Sequence, residues 1–361
     1  CGAERKDAHK LTGCKCLVCG KTRHEWSKGL DTCVRCGGGV IEIATLADLQ
    51  AIANDLTGHY RLMTDIDASD TKDWNKGKGF APIGNNKEHP FTGFLDGNGH
   101  AIRNLCINRV EEDHVGLLGY LKSGEVRNLT LLDTRVSGNN YVGGLVGYFY
   151  QGNTSECQAS GEVLGNSDVG GLVGYFYQGN ISECQSFSKV SGKDVSVGGL
   201  IGSNDGAITK CQASGEVMGK SYVGGLVGLG GKEGNITECQ SSGGVSGNNM
   251  VGGLIGSNSG TITKCKAFGK VYGRDILVGG LVGNNHGRIT ECQASGEVLG
   301  NSNVGGLVGD NHGSITECQA SGKVVSVSGF VGGLVGWSYS DITQCQASGE
   351  VSGTSTVGGL V

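Results

Sequence analysis

The sequence is poor in the features that mark several common classes of protein. Among 361 residues there are two prolines, and aromatic residues make up 6% of the chain. No apolar run approaches the roughly 18 residues that a membrane-spanning helix needs. The net charge of -5 gives no whole-chain reason to expect a nucleic acid or an anionic membrane as partner. The 69 glycines follow no Gly-X-Y period, which excludes collagen and leaves a folded, glycine-rich chain.

What the sequence has instead is a tandem repeat. From Leu145 onward a phrase of the form V-G-G-L-[VI]-G alternates with I-T-[EK]-C-Q-A-S-G-[EK]-V. A unit of about 27 residues cannot bury its own apolar face, so neighbouring units must stack into a solenoid. The period is marked, at intervals of 26 to 28 residues, by Cys157, Cys184, Cys211, Cys239, Cys265, Cys292, Cys318 and Cys345.

The pattern within a repeat predicts strands. Cys211 and Ala213 alternate with Lys210 and Gln212, which is the period of two typical of a strand with one buried face. This periodicity excludes helical repeats. We expect Gly and Asn to supply the positive φ torsions at the corners between strands. The predicted fold is an all-β parallel solenoid.

Parallel stacking makes a prediction about charge. Equivalent residues of neighbouring coils should lie about 4.8 Å apart, so like charges in one column repel. The residue before the cysteine alternates in sign along Glu183, Lys210, Glu238, Lys264 and Glu291. Apart from Gly244, the residue before the repeat valine does so along Glu162, Lys189, Glu216, Lys270, Glu297, Lys323 and Glu350. An exposed ion pair contributes only about 0 to 1 kcal/mol to the stability of the fold. The alternation is therefore expected to fix the register between coils rather than to stabilise the solenoid strongly.

Two further columns of equivalent residues lead to structural predictions. The glutamines after the cysteines, Gln158, Gln185, Gln212 and Gln240, are predicted to form an amide ladder along the stack. The cysteine column is interpreted as a set of small buried apolar side chains. A redox or metal column is the alternative, but it lacks His and carboxylate partners. Leu105 and Leu129 are placed at the same phase in the first two coils, which favours packing.

The segment 40–100 is predicted to cap the solenoid. Thr45-Leu-Ala-Asp48 has the form of a capping box at a helix start. Leu46, Leu49, Ile52, Ala53 and Leu56 would then share one face of a short helix. Such a helix covers the unpaired edge of a first coil. Residues 101–361 form the repeats, and both ends of the chain are expected to be truncated.

Several segments resemble a known family. They are the G-L-V-G cores, Pro82-Ile-Gly84, Phe91-Thr-Gly-Phe-Leu-Asp-Gly-Asn-Gly-His100 and Ile102-Arg-Asn-Leu105. Over residues 41–361 the chain resembles the GLUG-repeat proteins, which are mostly large bacterial surface and secreted proteins. The resemblance implies a right-handed parallel β-helix in an extracellular, adhesin-like setting, with no catalytic site inside the repeats.

The amino-terminal residues 1–39 are predicted to form a separate zinc-ribbon-like module. Two Cys-x-x-Cys-Gly knuckles can place four thiolates tetrahedrally around Zn²⁺ through Cys16, Cys19, Cys33 and Cys36. Such a closed site would serve folding rather than catalysis. Disulfide pairing is the competing interpretation if the protein is secreted.

Two groups in the repeats are candidates for function. Tyr148, Tyr150, Tyr175 and Tyr177 occur at one phase of consecutive coils, with Trp337 and Tyr339 at a similar phase further on. Stacked aromatics on a lateral face could bind a glycan or a cell-surface protein. The equal alternative is that these aromatic side chains cover a widened part of the core. The turns Asn284-Asn-His286 and Asp310-Asn-His312 would bring two His and an Asp together, although such residues are ordinary at corners.

The sequence favours a non-catalytic surface or secreted scaffold that spaces or displays binding surfaces. A β-helical carbohydrate-active enzyme is the alternative, but its clustered carboxylates are missing. A third interpretation is an intracellular scaffold whose zinc ribbon contacts protein or nucleic acid. Extracellular or cell-surface location is expected, and a cytoplasmic one stays open.

Overall fold

The chain winds into a stack of parallel coils, as the repeat predicts. A computed structural model describes residues 39–361, together with the backbone of an antiparallel pair of short strands, Leu11–Thr12 and Lys15–Cys16. About ten coils of about 27 residues each contribute strands to three parallel sheets, here called sheets 1, 2 and 3. The predicted all-β parallel solenoid is confirmed.

Every strand from Ile41 onward pairs in parallel with strands of the neighbouring coils. Sheet 1 contains Ile41–Ile43, His59–Leu62, Phe94–Asp96, Leu118–Arg127, Val146–Ser155, Val173–Ser182, Ile201–Asn204, Ala207–Thr209, Val227–Gly230, Asn235–Thr237, Ile255–Asn258, Thr261–Thr263, Val282–Asn285, Arg288–Thr290, Val308–Asn311, Ser314–Thr316, Val335–Ser338 and Ile342–Thr343. Sheet 2 contains Ile66–Asp67, Ala101–Arg103, Cys106–Asn108, Thr130–Ser137, Gln158–Gly165, Gln185–Ser186, Lys189–Gly192, Gln212–Ala213, Val217–Met218, Gln240–Ser241, Val245–Gly247, Lys266–Ala267, Val271–Gly273, Gln293–Ala294, Val298–Gly300, Gln319–Ala320, Val324–Ser326, Gln346–Ala347 and Val351–Gly353. Sheet 3 contains Asn140–Gly143, Ser167–Gly170, Val195–Gly198, Ser221–Gly224, Asn249–Gly252, Ile276–Gly279, Ser302–Gly305, Val331–Gly332 and Val357–Gly358.

The alternating charges lie where the register prediction puts them. In the column before the repeat valine, Lys270 Nζ is 2.8 Å from Glu297 Oε2, and Lys323 Nζ is 3.3 Å from Glu350 Oε2. In the column before the cysteine, Lys264 Nζ is 3.8 Å from a Glu291 carboxylate oxygen. Each pair joins adjacent coils, so the sign alternation correctly indicated the register.

The amide ladder exists, but at another column than predicted. The glutamines stack in register, yet no hydrogen bond joins their side chains within residues 39–361. The ladder is instead formed by buried asparagines: Asn258 Nδ2 donates to Asn285 Oδ1, and Asn285 Nδ2 donates to Asn311 Oδ1, both at 2.8 Å. Burial explains the difference, because an amide shielded from water must find a partner whereas an exposed glutamine has solvent.

The cysteine column lies in the core, which confirms the packing prediction. Seven of its members are fully buried, and all are free thiols: Cys157, Cys184, Cys211, Cys239, Cys265, Cys292 and Cys318. Each thiol is also satisfied as a polar group. The Cys184 N–H donates to Cys211 Sγ at 3.4 Å, and Cys184 Sγ donates to the Ser182 carbonyl at 3.2 Å. The sulfur atom therefore accepts the backbone hydrogen bond between coils at this corner. A purely apolar side chain there would leave the N–H without a partner.

One leucine of the first coils was placed correctly and one was not. Gln158 pairs with Thr130, so Leu129 occupies the position of Cys157. Leu105 does not, because Ala101 is the residue that pairs with Thr130 and Cys106 pairs with Arg135. The prediction for Leu105 is wrong because Ala101 and its partner Thr130 are 29 residues apart, whereas Leu105 and Leu129 are 24 residues apart, so Leu105 falls between the strands Ala101–Arg103 and Cys106–Asn108.

The expectation that Gly and Asn supply the positive φ torsions at the corners is wrong for most repeats. At the corner before the cysteine, φ lies between 50° and 55° at Asn128, Glu156, Glu183, Lys210, Glu238, Lys264, Glu291, Glu317 and Gln344. At the corner before V-G-G it lies between 49° and 61° at Tyr141, Asp168, Ser196, Tyr222, Met250, Leu277 and Asn303. Hydrogen bonds between coils hold these left-handed residues; the Lys210 N–H, for example, donates to the Thr237 carbonyl at 3.0 Å.

The repeat glycines serve close approach between backbones instead. In V-G-G-L-[VI]-G, the third glycine packs on the preceding coil: a Cβ on Gly228 would lie 2.5 Å from Val197 N and 2.6 Å from the Ser196 carbonyl carbon. The second glycine packs on the following coil, and a Cβ on Gly225 would lie 2.2 Å from the Gly253 carbonyl oxygen. Any side chain at these positions would force the coils apart.

The amino-terminal segment has the predicted capped helix, although the helix is short. An α-helix spans Leu46–Ala51, and Thr45 Oγ1 accepts from the Asp48 N–H at 3.1 Å in a capping box. The chain continues as a 3-10 turn at Ile52–Asn54 and a second at Ser69–Gly77, so the helix ends before Leu56. Strands of this segment join sheets 1 and 2, which means that coils already form within residues 40–100.

The predicted zinc ligands are not covered by this description. Cys19, Cys33 and Cys36 lie outside the described residues, and for Cys16 the backbone alone is described.

The glycine contacts predict opposite effects for two Gly→Ala changes. We expect Gly228→Ala to lower the free energy of unfolding by about 1–3 kcal/mol, because the added methyl group overlaps the backbone of the preceding coil. A Cβ on Gly244 would have nothing within 4 Å, so Gly244→Ala should be neutral or raise stability by up to about 1 kcal/mol. Urea denaturation of both variants measures this, and equal effects would contradict the close-approach explanation.

Candidate functional site

The two groups singled out in the repeats lie on one lateral surface. In the strand Val146–Ser155, Phe149 points into the core, and the alternation of a strand therefore directs Tyr148 and Tyr150 outward. The register of sheet 1 places Tyr120, Tyr148, Tyr175, Ser203, Leu229, Ser257, Asn284, Asp310 and Trp337 in a single column. We call the outward surface formed by this column and its neighbours the lateral face.

The tyrosines form two stacked ranks at the amino-terminal end of the lateral face. Tyr148 lies between Tyr120 and Tyr175, with ring centroids 4.8 and 4.9 Å apart and planes inclined by 12° and 13°. Tyr150 stacks on Tyr177 at 5.1 Å and 11°. Since the rings stack along the solenoid axis, their faces cover one another. Ring edges and hydroxyl groups of Tyr148, Tyr150, Tyr175 and Tyr177 therefore reach the surface, whereas Tyr120 is buried.

A third aromatic rank was missed in the sequence. His114 stacks on Tyr141 at 5.2 Å, and Tyr141 meets Tyr148 edge to face at 5.3 Å. Both residues occupy the left-handed corner one residue before V-G, with φ of 59° and 56°. The signal in the sequence was their common phase in consecutive coils. His114, Tyr120, Tyr141, Tyr148, Tyr150, Tyr175 and Tyr177 together are called the tyrosine patch.

The tyrosine hydroxyl groups at the centre of the patch are held in their protonated form. Burial raises the pKa of Tyr148 to about 12 and also raises the pKa of Tyr120, Tyr141 and Tyr175. Burial lowers the pKa of the His114 imidazole. The patch thus offers uncharged hydroxyl groups that can both donate and accept hydrogen bonds, with Tyr175 Oη already donating to an Asp205 carboxylate oxygen at 2.9 Å.

The carboxyl-terminal end of the lateral face carries imidazole and indole rings. His286 stacks on His312 at 4.8 Å, and His312 stacks on Tyr339 at 4.6 Å. Trp337 packs against Phe330 at 4.3 Å. The turns predicted to meet across coils do meet, since Asn284 pairs with Asp310 and the two histidines stack.

Among the residues from 39 onward, no three His, Cys, Asp or Glu side chains converge on a point where a metal ion could bind. In the same part of the chain no helix is long and apolar enough to cross a membrane. What the lateral face provides is a group of stacked aromatic side chains at each of its two ends, on a regular backbone spacing.

Comparison with known proteins identifies the repeat. Five segments match the model of the GLUG motif, at residues 138–164, 194–218, 247–272, 275–299 and 300–325. The chain contains GLUG repeats. A stretch of 128 residues is 45% identical to halomucin from Haloquadratum walsbyi, covering 34% of this chain and 1% of halomucin. A stretch of 114 residues is 36% identical to a candidate Gly-rich membrane protein from Evansella cellulosilytica, covering 27% of this chain and 13% of that protein.

The GLUG-repeat chain thus spans a small fraction of either relative. In three dimensions it is similar to the crystal structure of a candidate immunoglobulin A1 protease from Bacteroides ovatus, with a TM-score of 0.50 and 18% identity over 89% of this chain and 84% of that one. At this identity the likeness shows a shared solenoid fold, and activity does not follow from it.

A half-buried carboxyl group beside the tyrosine patch predicts a pH dependence. Burial raises the pKa of Asp168, although hydrogen bonds from Ser203 and Ser196 partly offset this effect. Because the folded-state pKa exceeds the unfolded one, Asp168 stabilises the fold in acid, and this contribution is lost as the pH rises through the folded-state pKa.

We therefore expect Asp168→Asn to gain stability relative to the parent protein at pH 7 and to gain less, or lose, at pH 4. Urea denaturation midpoints at the two pH values measure the difference. Asp341→Asn at an exposed position is the matched control and should show no such contrast. An Asp168→Asn effect that is independent of pH would contradict the burial argument.

Proposed function

We propose that this chain is part of a non-catalytic surface scaffold, in which the GLUG repeats hold the tyrosine patch as a binding site for neutral glycans. The observation that carries the proposal is the pair of stacked tyrosine ranks, Tyr120–Tyr148–Tyr175 and Tyr150–Tyr177, fixed at spacings of 4.8 to 5.1 Å. Rigid tyrosines lose little conformational entropy on binding, which favours their use in recognition surfaces.

The chemistry of the patch favours a neutral, hydroxyl-rich partner. Its phenol groups are uncharged, and within residues 39–361 the one cation over a ring of the patch is Lys122, whose Nζ is 5.9 Å from the centre of the Tyr150 ring. Ring edges and hydroxyls can hydrogen-bond with sugar hydroxyls. A cell-surface protein that presents polar side chains is the alternative partner, and the experiment below separates the two.

Surface location is part of the proposal. One relative is named halomucin and another a candidate Gly-rich membrane protein, and both names fit an extracellular or membrane-associated setting. A structural Zn²⁺ bound by Cys16, Cys19, Cys33 and Cys36 stays a prediction for the amino-terminal module. A repeat scaffold needs no catalytic group, because its task is to hold binding surfaces at fixed distances.

The test is to replace Tyr148, Tyr150, Tyr175 and Tyr177 together by Ser and measure binding to an array of immobilised neutral oligosaccharides. We expect at least a tenfold loss of binding, because several aromatic contacts disappear at once. Tyr272→Ser is the matched control: Tyr272 is 52% exposed and lies on sheet 2, away from the patch.

Two results would contradict the proposal. One is unchanged glycan binding by the fourfold variant when its far-ultraviolet circular dichroism matches the parent protein. The other is an absence of glycan binding by the parent protein itself. Binding of the parent protein to cell-surface proteins alone would favour the alternative partner.

A further inference from the structure

The outer face of sheet 2 carries charges that are antisymmetric about a single glycine. The residue before the repeat valine points outward, since the valine itself is buried. The register of the valines places these outward residues in one column, which we call the charge column. Arg135, Glu162, Lys189 and Glu216 precede Gly244 in it, and Lys270, Glu297, Lys323 and Glu350 follow. Counted outward from Gly244, each residue therefore has the opposite charge of its counterpart on the other side.

An apolar column runs beside the charge column on the same face. It contains the residues after the repeat valines, which include Leu164, Met218, Tyr272, Leu299 and Val325. Leu164, Met218 and Tyr272 are exposed, and so are Phe187 and Phe268, which precede the charge column by two residues. A row of large exposed apolar side chains flanked by charges is typical of a surface that another protein covers.

Two copies of this face can bring their charge columns together in two symmetric orientations. With the solenoid axes parallel, a two-fold axis places each residue opposite its own copy, and like charges meet. With the axes antiparallel, a two-fold axis runs between the sheets along the strand Val245–Gly247, so that Gly244 faces Gly244. Glu216 then faces Lys270 of the second copy, and every other charged residue of the column also faces an opposite charge. This is the one antiparallel register in which the two columns overlap along their whole length.

The neighbouring side chains are complementary in the same register. Met218 faces Tyr272 of the second copy, so apolar groups meet, and Phe268 faces Ser214, so a phenyl ring meets a small side chain. Nine coils at about 4.8 Å and three outward columns at about 6.8 Å form a strip of roughly 40 by 20 Å. The strip amounts to about 800 Å² per copy, which is the size of a standard stable interface.

We propose that the outer face of sheet 2 is the contact surface of an antiparallel homodimer centred on Gly244. Charge complementarity along the column sets the register, and the apolar column supplies buried area. Ion pairs within one chain, such as Lys270 Nζ to Glu297 Oε2 at 2.8 Å, persist in the dimer, because a lysine ammonium can donate to carboxylates of both copies. The inference does not depend on glycan binding by the tyrosine patch, which belongs to the lateral face.

The experiment is sedimentation equilibrium of the full chain in a reducing buffer, which prevents disulfide links through the amino-terminal cysteines. We expect a reversible dimer whose dissociation constant rises at least tenfold between about 0.05 and 0.5 M NaCl, since salt screens the ion pairs. At low salt, Lys270→Glu should weaken the dimer at least tenfold, because it places like charges opposite each other twice in each dimer.

The matched control is Lys264→Glu. Lys264 lies in the same coil as Lys270 and would lose a similar ion pair, to Glu291 at 3.8 Å, but it stands outside the charge column. This variant should dimerise like the parent protein.

The double exchange of Glu216→Lys with Lys270→Glu separates a role in the interface from a role in folding. Within one chain it removes the ion pairs of these residues with Lys189 and Glu297, so it should lower the free energy of unfolding. Between copies it restores opposite charges at every position, so the dimer should regain most of its affinity. A role in folding alone predicts that the double variant dimerises less well than Lys270→Glu.

Zero-length carbodiimide cross-linking tests the register itself. It should join Lys189 to Glu297 and Lys323 to Glu162 between chains, since within one chain these pairs lie about 19 and 29 Å apart along the stack. A parent protein that stays monomeric, a dimer without these cross-links, or a folded double variant whose affinity is not restored would overturn the proposal. Cross-links from Lys270 to residues 1–38 in a monomer would also overturn it, because the amino-terminal segment would then cover the face.

Discussion

The whole structure depends on coils that lie directly on one another at the hydrogen-bonding distance of a parallel sheet. In such a stack each residue contacts the equivalent residues of the coils above and below it. A residue type that recurs once per repeat therefore forms a column along the solenoid. Buried cysteines, buried asparagines, paired charges and stacked tyrosines are four results of one geometry. Opposite charges at Lys270 and Glu297 pair for the same reason that Tyr148 and Tyr175 stack.

The same constraint explains the composition of the repeat. The coils can approach closely only where side chains are missing, which is why glycine recurs in V-G-G-L-[VI]-G at positions such as Gly225 and Gly228. Inter-coil hydrogen bonds in turn hold left-handed torsions at residues such as Glu183 and Tyr141, which would be strained in isolation. Glycine thus allows the backbones of neighbouring coils to approach closely. The inter-coil hydrogen bonds offset the conformational strain of the left-handed residues at the corners.

The sequence alone was enough to predict the features that follow from periodicity. It predicted few of the features that depend on which side chains are buried. The repeat length, the strand alternation and the sign alternation together specify the solenoid and its register. The asparagine ladder through Asn258 and Asn285 escaped prediction because Asn before a Gly-containing turn is typical of an exposed corner. His114 and Tyr141 escaped because a corner residue has no strand alternation to mark the direction of its side chain. The shared location of the tyrosines and the histidines required the three-dimensional register of sheet 1.

The stacking of equivalent residues can be measured directly by zero-length carbodiimide cross-linking followed by peptide mass spectrometry. Lys270 Nζ lies 2.8 Å from a Glu297 carboxylate oxygen and Lys323 Nζ lies 3.3 Å from one of Glu350, each pair one coil apart. The account predicts amide bonds between Lys270 and Glu297 and between Lys323 and Glu350 in the folded chain, and their loss in urea. Cross-links from these lysines to acidic residues half a coil away, with neither predicted bond formed, would contradict it.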